Sequence, residues 1–120
     1  MISNDYELEL IVSKTGLDKQ KLLERTKTII TTLGEFGSRV CTRDAEIEIT
    51  AIKPKEVVDP TGAGDAYRAG LIKGLIQNLE IKQCAEMGSV CASFAIERYG
   101  TQDYYFSPAE FEKRLATYRT

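Results

Sequence analysis

A glycine-rich stretch that runs into an aspartate is the part of the sequence best suited to chemistry. Gly62, Ala63, Gly64 and Asp65 lie between a short β-branched segment and an apolar pattern of helical spacing, which predicts a strand, a turn and a helix. Backbone amides at the N-terminus of a helix attract oxyanions, and neither glycine has a Cβ to obstruct one. The stretch therefore predicts an anion hole.

Asp65 lies at the mouth of this predicted hole. A carboxylate there could accept a proton from an attacking hydroxyl while the amides stabilise the developing negative charge. This arrangement suits phosphoryl transfer. The alternative is that Asp65 only caps the helix and the glycines only form the turn, and these residues alone leave both interpretations open.

Other catalytic residue types are scarce. The sequence has no histidine, which excludes mechanisms based on Ser-His or Cys-His pairs and leaves carboxylates, lysine or tyrosine for proton transfer. Cys41, Cys84 and Cys91 are odd in number and lack the CxxC spacing of metal or redox sites. We interpret all three as reduced packing residues.

Length and composition favour one soluble globular domain spanning residues 1–120, with 42% hydrophobic and 28% charged residues. The 16 basic and 18 acidic residues are interspersed, so no basic face is available for nucleic acid. The sequence lacks an apolar run long enough to cross a bilayer, and its start does not resemble a signal peptide. We expect a cytoplasmic protein without nucleic-acid or membrane partners.

The first part of the chain predicts two capped helices and a sheet. Asn4 and Glu7 have the spacing of a capping box before a helix that ends at Gly16, and Asp18 can cap a second helix. A buried strand is predicted at residues 29–33, a turn at 34–37, and a hairpin formed by a strand starting at Val40 and another at 47–52. The polar and apolar alternation of that last strand is typical of a sheet edge.

The second part predicts a short strand at residues 57–59, a helix from Ala66, and a longer helix over 82–99 that ends at Gly100. Small residues crowd the longer helix, so another element could approach it closely. Ser107, Pro108 and Glu110 have the types and spacing that open a final helix.

Three motifs resemble those of one family. The run D-P-T-G-A-G-D-A from Asp59 to Ala66 resembles the D-T-x-G-A-G-D-x signature of the ribokinase (PfkB) family of carbohydrate and nucleoside kinases. Asn4 and Glu7 are similar to its N-x-x-E element, and residues 32–37 are similar to its T-L-G-x-x-G loop. The resemblance covers essentially the whole chain. It implies the C-terminal portion of an α/β, ribokinase-like, Rossmann-type three-layer fold, with a partial sheet, flanking helices and a β-hairpin.

The resemblance also implies a function, namely ATP-dependent phosphoryl transfer to a hydroxyl of a sugar or nucleoside. Residues 99–103 and 106–108 resemble the tails of adenosine-kinase-like and general sugar kinases, which slightly favours a nucleoside. The family pattern makes Asp65 the base and places Gly62, Ala63 and Gly64 in the anion hole. It assigns the nucleotide site to Asn4, Thr32, Gly34, Gly37, Gly88 and Ala92.

The same resemblance implies binding sites for metal ions. Glu7 would hold Mg²⁺ through water, and a monovalent cation such as K⁺ would be bound by Asp59 and by carbonyls of Thr61, Ala95, Arg98 and Gly100. Simpler alternatives exist for each group. Asn4 and Glu7 could form only a capping box, Asp59 could be a turn residue, and the small helical residues could serve packing.

The chain lacks the acceptor-binding N-terminal half of this family, with its Gly-Gly motif and β lid. We therefore expect an exposed sheet edge and an apolar face, covered by a second copy in a homodimer or by a complementary N-terminal half. A truncated nucleotide-binding or assembly module, without catalytic activity on its own, is the alternative to a kinase.

Overall fold

The computed structural model describes residues 1–97 and 106–119, in two compact units, Met1–Ala51 and Ile52–Thr120. The organisation as a single domain stays a prediction. Arg98, Gly100 and the other predicted features of residues 98–105 lie outside the described residues. In the described ranges, no helix has the length and apolar character needed to span a bilayer.

The first unit contains a four-stranded mixed sheet in the order β1-β2-β3-β4. Its strands are β1 (Ile2–Asn4), β2 (Ile29–Thr32), β3 (Ser38–Cys41) and β4 (Glu46–Ile49). β1 runs parallel to β2, and the remaining pairs are antiparallel. The sequence did not predict β1, because three residues are too few to show an alternating pattern.

Two helices flank this sheet with the predicted caps, α1 (Asp5–Thr15) and α2 (Lys19–Arg25). Asn4 and Glu7 form the capping box, and Gly16 ends α1 in the left-handed region at φ 71°. The side chain of Asp18 accepts a hydrogen bond from the Lys21 amide at 2.9 Å. The core of the unit is formed by Leu22, Leu23, Ile29 and Cys41, with Leu8, Ile11, Val12 and Leu17 packed against it.

The predicted hairpin is confirmed as β3 and β4, although β3 begins two residues before Val40 and β4 ends at Ile49. Ile49 is buried, whereas Glu46 and Glu48 are exposed. β4 lies at one edge of the sheet, as its alternating pattern predicted.

The described part of the second unit contains three helices, α3 (Ala63–Ile76), α4 (Ile81–Ala95) and α5 (Pro108–Arg119). Glycines let α3 and α4 pack closely. A Cβ added at Gly70 would lie 2.5 Å from the Met87 carbonyl oxygen, and one at Gly74 would lie 2.8 Å from Sγ of Cys84. The expectation that α4 admits a close neighbour is thus confirmed, and α3 contributes glycines of its own.

Three predicted features of this unit were wrong. Residues 57–59 do not form a strand, because the amides of Val58 and Asp59 both donate to one carbonyl, that of Ile96, instead of entering a ladder. α3 begins at Ala63 rather than Ala66, so Ala63 and Gly64 belong to its first turn. α4 ends at Ala95, earlier than the predicted stop.

The three cysteines are free thiols and all are buried. Burial raises the pKa of Cys91 to about 11, an effect that the charge of Lys73 partly opposes. Burial also raises the pKa of Cys84. Because the thiolate is the nucleophilic form, these raised pKa values agree with the prediction of packing residues.

The close packing of Gly37 in the first unit can be tested by its effect on stability. Its φ is 91°, and a Cβ there would overlap the Ile49 carbonyl oxygen, so Gly37→Ala should lower the free energy of unfolding by about 3 kcal/mol or more. Gly34→Ala is the matched control, because its φ is 60° but the space beside it is open, and we expect a loss of about 1 kcal/mol. Urea denaturation followed by circular dichroism measures both, and equal losses would contradict the role given to Gly37.

Candidate active site

The N-terminus of α3 is built by a left-handed glycine. Gly62 is the N-cap residue at φ 86° and ψ −2°, a conformation that strains other residues. The Ala63 amide donates to the Pro60 carbonyl at 3.2 Å, and the Ala66 amide donates to the Gly62 carbonyl at 3.0 Å. Between them lie the amides of Gly64 and Asp65, which belong to the first turn that an α-helix leaves without intrahelical acceptors. This turn has the geometry of an anion site.

Gly64 leaves space on the surface of this turn. The residue is exposed, and the nearest heavy atom to a Cβ added there would be Nη1 of Arg68, at an ordinary contact distance of 3.4 Å. The first turn of α3 therefore has an exposed backbone at Gly64.

Asp65 is the third residue of α3, and its side chain is 87% exposed. Its Oδ1 lies 3.5 Å from Nη1 of Arg68, a long and exposed pair of the kind that contributes little to stability. The N-cap position belongs to Gly62, so Asp65 does not act as the N-cap of this helix. An accessible carboxylate and first-turn amides thus share one turn of helix.

The segment before this turn is attached to the end of α4. The amides of Val58 and Asp59 donate to the Ile96 carbonyl at 2.8 and 3.1 Å. Oδ1 of Asp59 accepts from the Thr61 amide at 3.0 Å, so the turn role of Asp59 is observed. Ala95, the last residue of α4, is fully buried beside this attachment. Binding of a monovalent cation by Asp59, Thr61 and Ala95 stays a prediction.

In the first unit, the parallel pairing of β1 and β2 brings two of the motifs together. Asn4 and Thr32 are register partners at the carboxyl ends of these strands, where α/β proteins bind ligands. Asn4 and Glu7 exchange capping hydrogen bonds of 2.7 and 2.8 Å. The capping role is therefore observed, and the magnesium role of Glu7 stays a prediction.

The loop after β2 is a tight turn that only glycine can close. The Leu33 amide donates to the Gly37 carbonyl at 2.8 Å, and a 3₁₀ turn at Gly34–Phe36 fills the loop. Gly37 is buried against the backbone of β4, whereas Gly34 is exposed with open space beside it. Of the two glycines, Gly34 offers the more accessible backbone to a nucleotide.

Two of the positions predicted for the nucleotide site, Gly88 and Ala92, lie on α4 and differ in their surroundings. A Cβ at Gly88 would lie 2.8 Å from the Tyr67 carbonyl oxygen and 3.1 Å from its ring. Packing against Tyr67 is therefore observed at Gly88, and its contact with a nucleotide stays a prediction. Ala92 is only half-buried, and its contact with a nucleotide stays a prediction.

One feature of this unit was not predicted. Arg114 on α5 forms a bidentate ion pair with Glu97, with Nη1 2.8 Å from Oε2 and Nη2 3.2 Å from Oε1. No motif or helical spacing connects residues on separate elements, so the sequence carried no signal for this pair.

Comparisons with known proteins place the chain in a family. Residues 1–107 match the pfkB family carbohydrate kinase. The chain is 37% identical over 102 residues to a nucleoside kinase of Methanocaldococcus jannaschii, covering 85% of this chain and 34% of that protein. For a nucleoside kinase of Methanothermobacter thermautotrophicus, identity is 38% over 116 residues, covering 96% and 37%. The chain therefore spans little more than a third of the length of these curated relatives.

The solved structures agree with the family match. A Burkholderia thailandensis nucleoside kinase in complex with ADP-inosine superposes with a TM-score of 0.94 at 34% identity, covering 97% of this chain and 36% of that one. This likeness confirms the predicted ribokinase-like α/β fold. The chain belongs to the pfkB family of carbohydrate kinases.

Proposed function

We propose that this chain provides the nucleotide-binding and catalytic part of an ATP-dependent kinase that phosphorylates a hydroxyl of a nucleoside. The observation that carries the proposal is the first turn of α3, where the exposed Asp65 carboxylate accompanies the amides of Gly64 and Asp65. Family membership supports the same reaction, and the relatives are named nucleoside kinases.

Each residue of the turn would have a defined part in the reaction. The amides that follow Gly62 hydrogen-bond the oxygens of the phosphoryl group being transferred and stabilise their negative charge. Asp65 accepts the proton of the acceptor hydroxyl. At the same time the hydroxyl oxygen bonds to the γ-phosphorus of ATP, and the bond from that phosphorus to the ADP oxygen breaks. Asp65 is suited to this step because its carboxylate is accessible.

The chain also offers oxygen ligands of the kind that hard cations prefer. Glu7 has an exposed carboxylate at the carboxyl end of β1, and we propose that it holds Mg²⁺ through water. Mg²⁺ supplies neutralisation of phosphate charge when it is bound. Asp59, with the carbonyls of Thr61 and Ala95, would hold K⁺.

In the first unit, the nucleotide would contact both motif regions. Asn4 and Thr32 are adjacent at the strand ends, and Gly34 exposes its backbone beside them. We propose that these residues, with Gly37 holding the loop closed, face the phosphates and ribose. For the second unit by itself, we propose that Ala92 contacts the nucleotide base. Gly88 is the weakest of the family positions, because Tyr67 occupies its surroundings.

A second candidate function follows from the share of its relatives' length that the chain covers. Since the chain spans 34% and 37% of the two archaeal nucleoside kinases, it could bind ATP or assemble with a partner without transferring phosphate. Calorimetry with Mg-ATP, run beside an assay for nucleoside-dependent ADP release, separates the two functions. Binding without release would favour the binding module.

We also propose a partner for the sheet edge formed by β1. In the described residues β1 pairs only with β2, and α1 has no buried residue, with Tyr6 67% and Leu10 43% exposed. An open strand beside exposed apolar side chains favours association. A second copy of the chain is our preferred partner, and a complementary N-terminal half is the alternative.

Light scattering of the purified chain tests the homodimer. We expect twice the monomer mass at micromolar concentration, and Tyr6→Lys combined with Leu10→Lys should return the mass to that of a monomer because charge repels across the contact. Ile76→Lys is the control, since Ile76 is an exposed apolar residue on α3. A monomeric wild-type chain, or loss of the dimer only in the control, would contradict the homodimer.

Asp65→Asn tests the proposed base. A chimaera in which this chain replaces the matching segment of the Methanocaldococcus jannaschii nucleoside kinase should lose about 10²- to 10⁴-fold in kcat with KM for ATP little changed, because the amide cannot accept the proton. Asp18→Asn is the control, because it makes the same change at a helix N-terminus elsewhere. Unchanged turnover in Asp65→Asn would remove Asp65 from the mechanism.

A further inference from the structure

The Arg114–Glu97 pair joins α5 to the residues that follow the end of α4. Each side chain is only 15% exposed, and the two ions are joined by two hydrogen bonds in a parallel, bidentate arrangement. Such pairs are the strongest and most directional of the ionic hydrogen bonds. Among the ion pairs of the described residues, it combines the shortest distance with low exposure of both partners.

Arg114 is itself fixed on two further sides. Its Nη1 donates to Oγ of Ser93 at 3.0 Å, and Ser93 donates in turn to the Val90 carbonyl at 2.7 Å. The guanidinium also lies 3.7 Å above the ring of Phe94, which stacks on Phe106. The planar guanidinium therefore has one orientation, and that orientation sets the position of the Glu97 carboxylate.

Glu97 in turn holds the segment of residues 55–59, which leads to the candidate active site. Oε2 of Glu97 accepts a hydrogen bond from the Lys55 amide at 2.8 Å. The neighbouring Ile96 carbonyl accepts from the Val58 and Asp59 amides. Residues 55–59 form no strand or helix, so these three amides hold them to the end of α4.

The attachment continues to the first turn of α3 without a break. Asp59 accepts from the Thr61 amide, the Pro60 carbonyl accepts from Ala63, and the Gly62 carbonyl accepts from Ala66. Each hydrogen bond fixes the next few residues, and the series ends one residue beyond Asp65.

We propose that Arg114 and Glu97 are positioning residues for phosphoryl transfer, which fix residues 55–62 and thereby the orientation of the first-turn amides and the Asp65 carboxylate. This inference rests on the proposed function for its chemical consequence. Its physical content, the coupling of α5 to the turn at Gly62, stands on the contacts alone.

Amide hydrogen exchange of the 120-residue chain, followed by NMR, tests the coupling. In Arg114→Met the Lys55, Val58 and Asp59 amides should exchange about ten- to a hundredfold faster, the range expected for loss of a charge-assisted hydrogen bond. Leu71 and Val90, in the helices α3 and α4, should change by less than about twofold. The chemical shifts of the Gly64 and Asp65 amides should also move, because they report the geometry of the turn.

The structure supplies a matched control on the same helix. Arg119 pairs with Glu86 on α4 at 3.6 Å, so Arg119→Met also removes an arginine ion pair between α5 and α4. The Arg119–Glu86 pair is not connected to residues 55–62 through the contacts above. Arg119→Met should therefore leave the exchange of those amides and the chemical shifts of Gly64 and Asp65 unchanged.

Additional variants keep the test decisive if Arg114→Met unfolds, because it leaves a largely buried carboxylate unpaired. Arg114→Lys keeps the charge but loses the bidentate geometry, and Glu97→Gln combined with Arg114→Met removes both charges. Both should fold and still show faster exchange at residues 55–59. Acceleration spread evenly over α3 and α4, or no acceleration in any variant, would overturn the proposal. Failure of the wild-type chain to bind Mg-ATP would overturn only the proposed function.

Discussion

The candidate active site depends on the left-handed conformation of Gly62. This conformation lets the chain turn and enter a helix at Ala63, so that Gly64 and Asp65 fall in the first turn of α3. A helix entered three residues later, as the periodicity of the apolar residues suggested, would leave Gly64 and Asp65 in an irregular loop. The helix supplies both the amides of the proposed anion site and the fixed direction of the Asp65 side chain.

Close packing of α3 on α4 then holds that turn in place. Gly70 and Gly74 remove the side chains that would keep the helices apart, and Gly88 does the same from the opposite helix. The end of α4 also anchors the backbone before the glycine turn through the Ile96 carbonyl and the Glu97 carboxylate. The α3–α4 pair therefore positions the turn at Gly62, and Gly70, Gly74 and Gly88 serve packing.

Local sequence signals predicted the local structure of this chain well. Caps at Asn4, Asp18 and Ser107 depend on neighbouring residues only, and each is present. The turn at Gly34, the hairpin and the glycine turn at Gly62 follow from the same short-range rules, and the family motifs lie on them. Features that depend on distant residues were missed. β1 is defined by its pairing with β2, which is distant in sequence. The amides of residues 58 and 59 hydrogen-bond to the end of α4 instead of to a neighbouring strand. The Arg114–Glu97 pair joins two parts of the chain that no sequence pattern connects.

The central claim is that the first-turn amides of α3 bind the phosphates of ATP beside an accessible Asp65. The most direct measurement is an NMR titration of the ¹⁵N-labelled chain with Mg-ATP, observing the amides of Gly64 and Asp65. We predict that both shift downfield and saturate with one dissociation constant, while the Ile76 amide at the other end of α3 does not move. Saturable shifts elsewhere in the chain with Gly64 and Asp65 unmoved, or no saturable shift at millimolar Mg-ATP, would contradict the account.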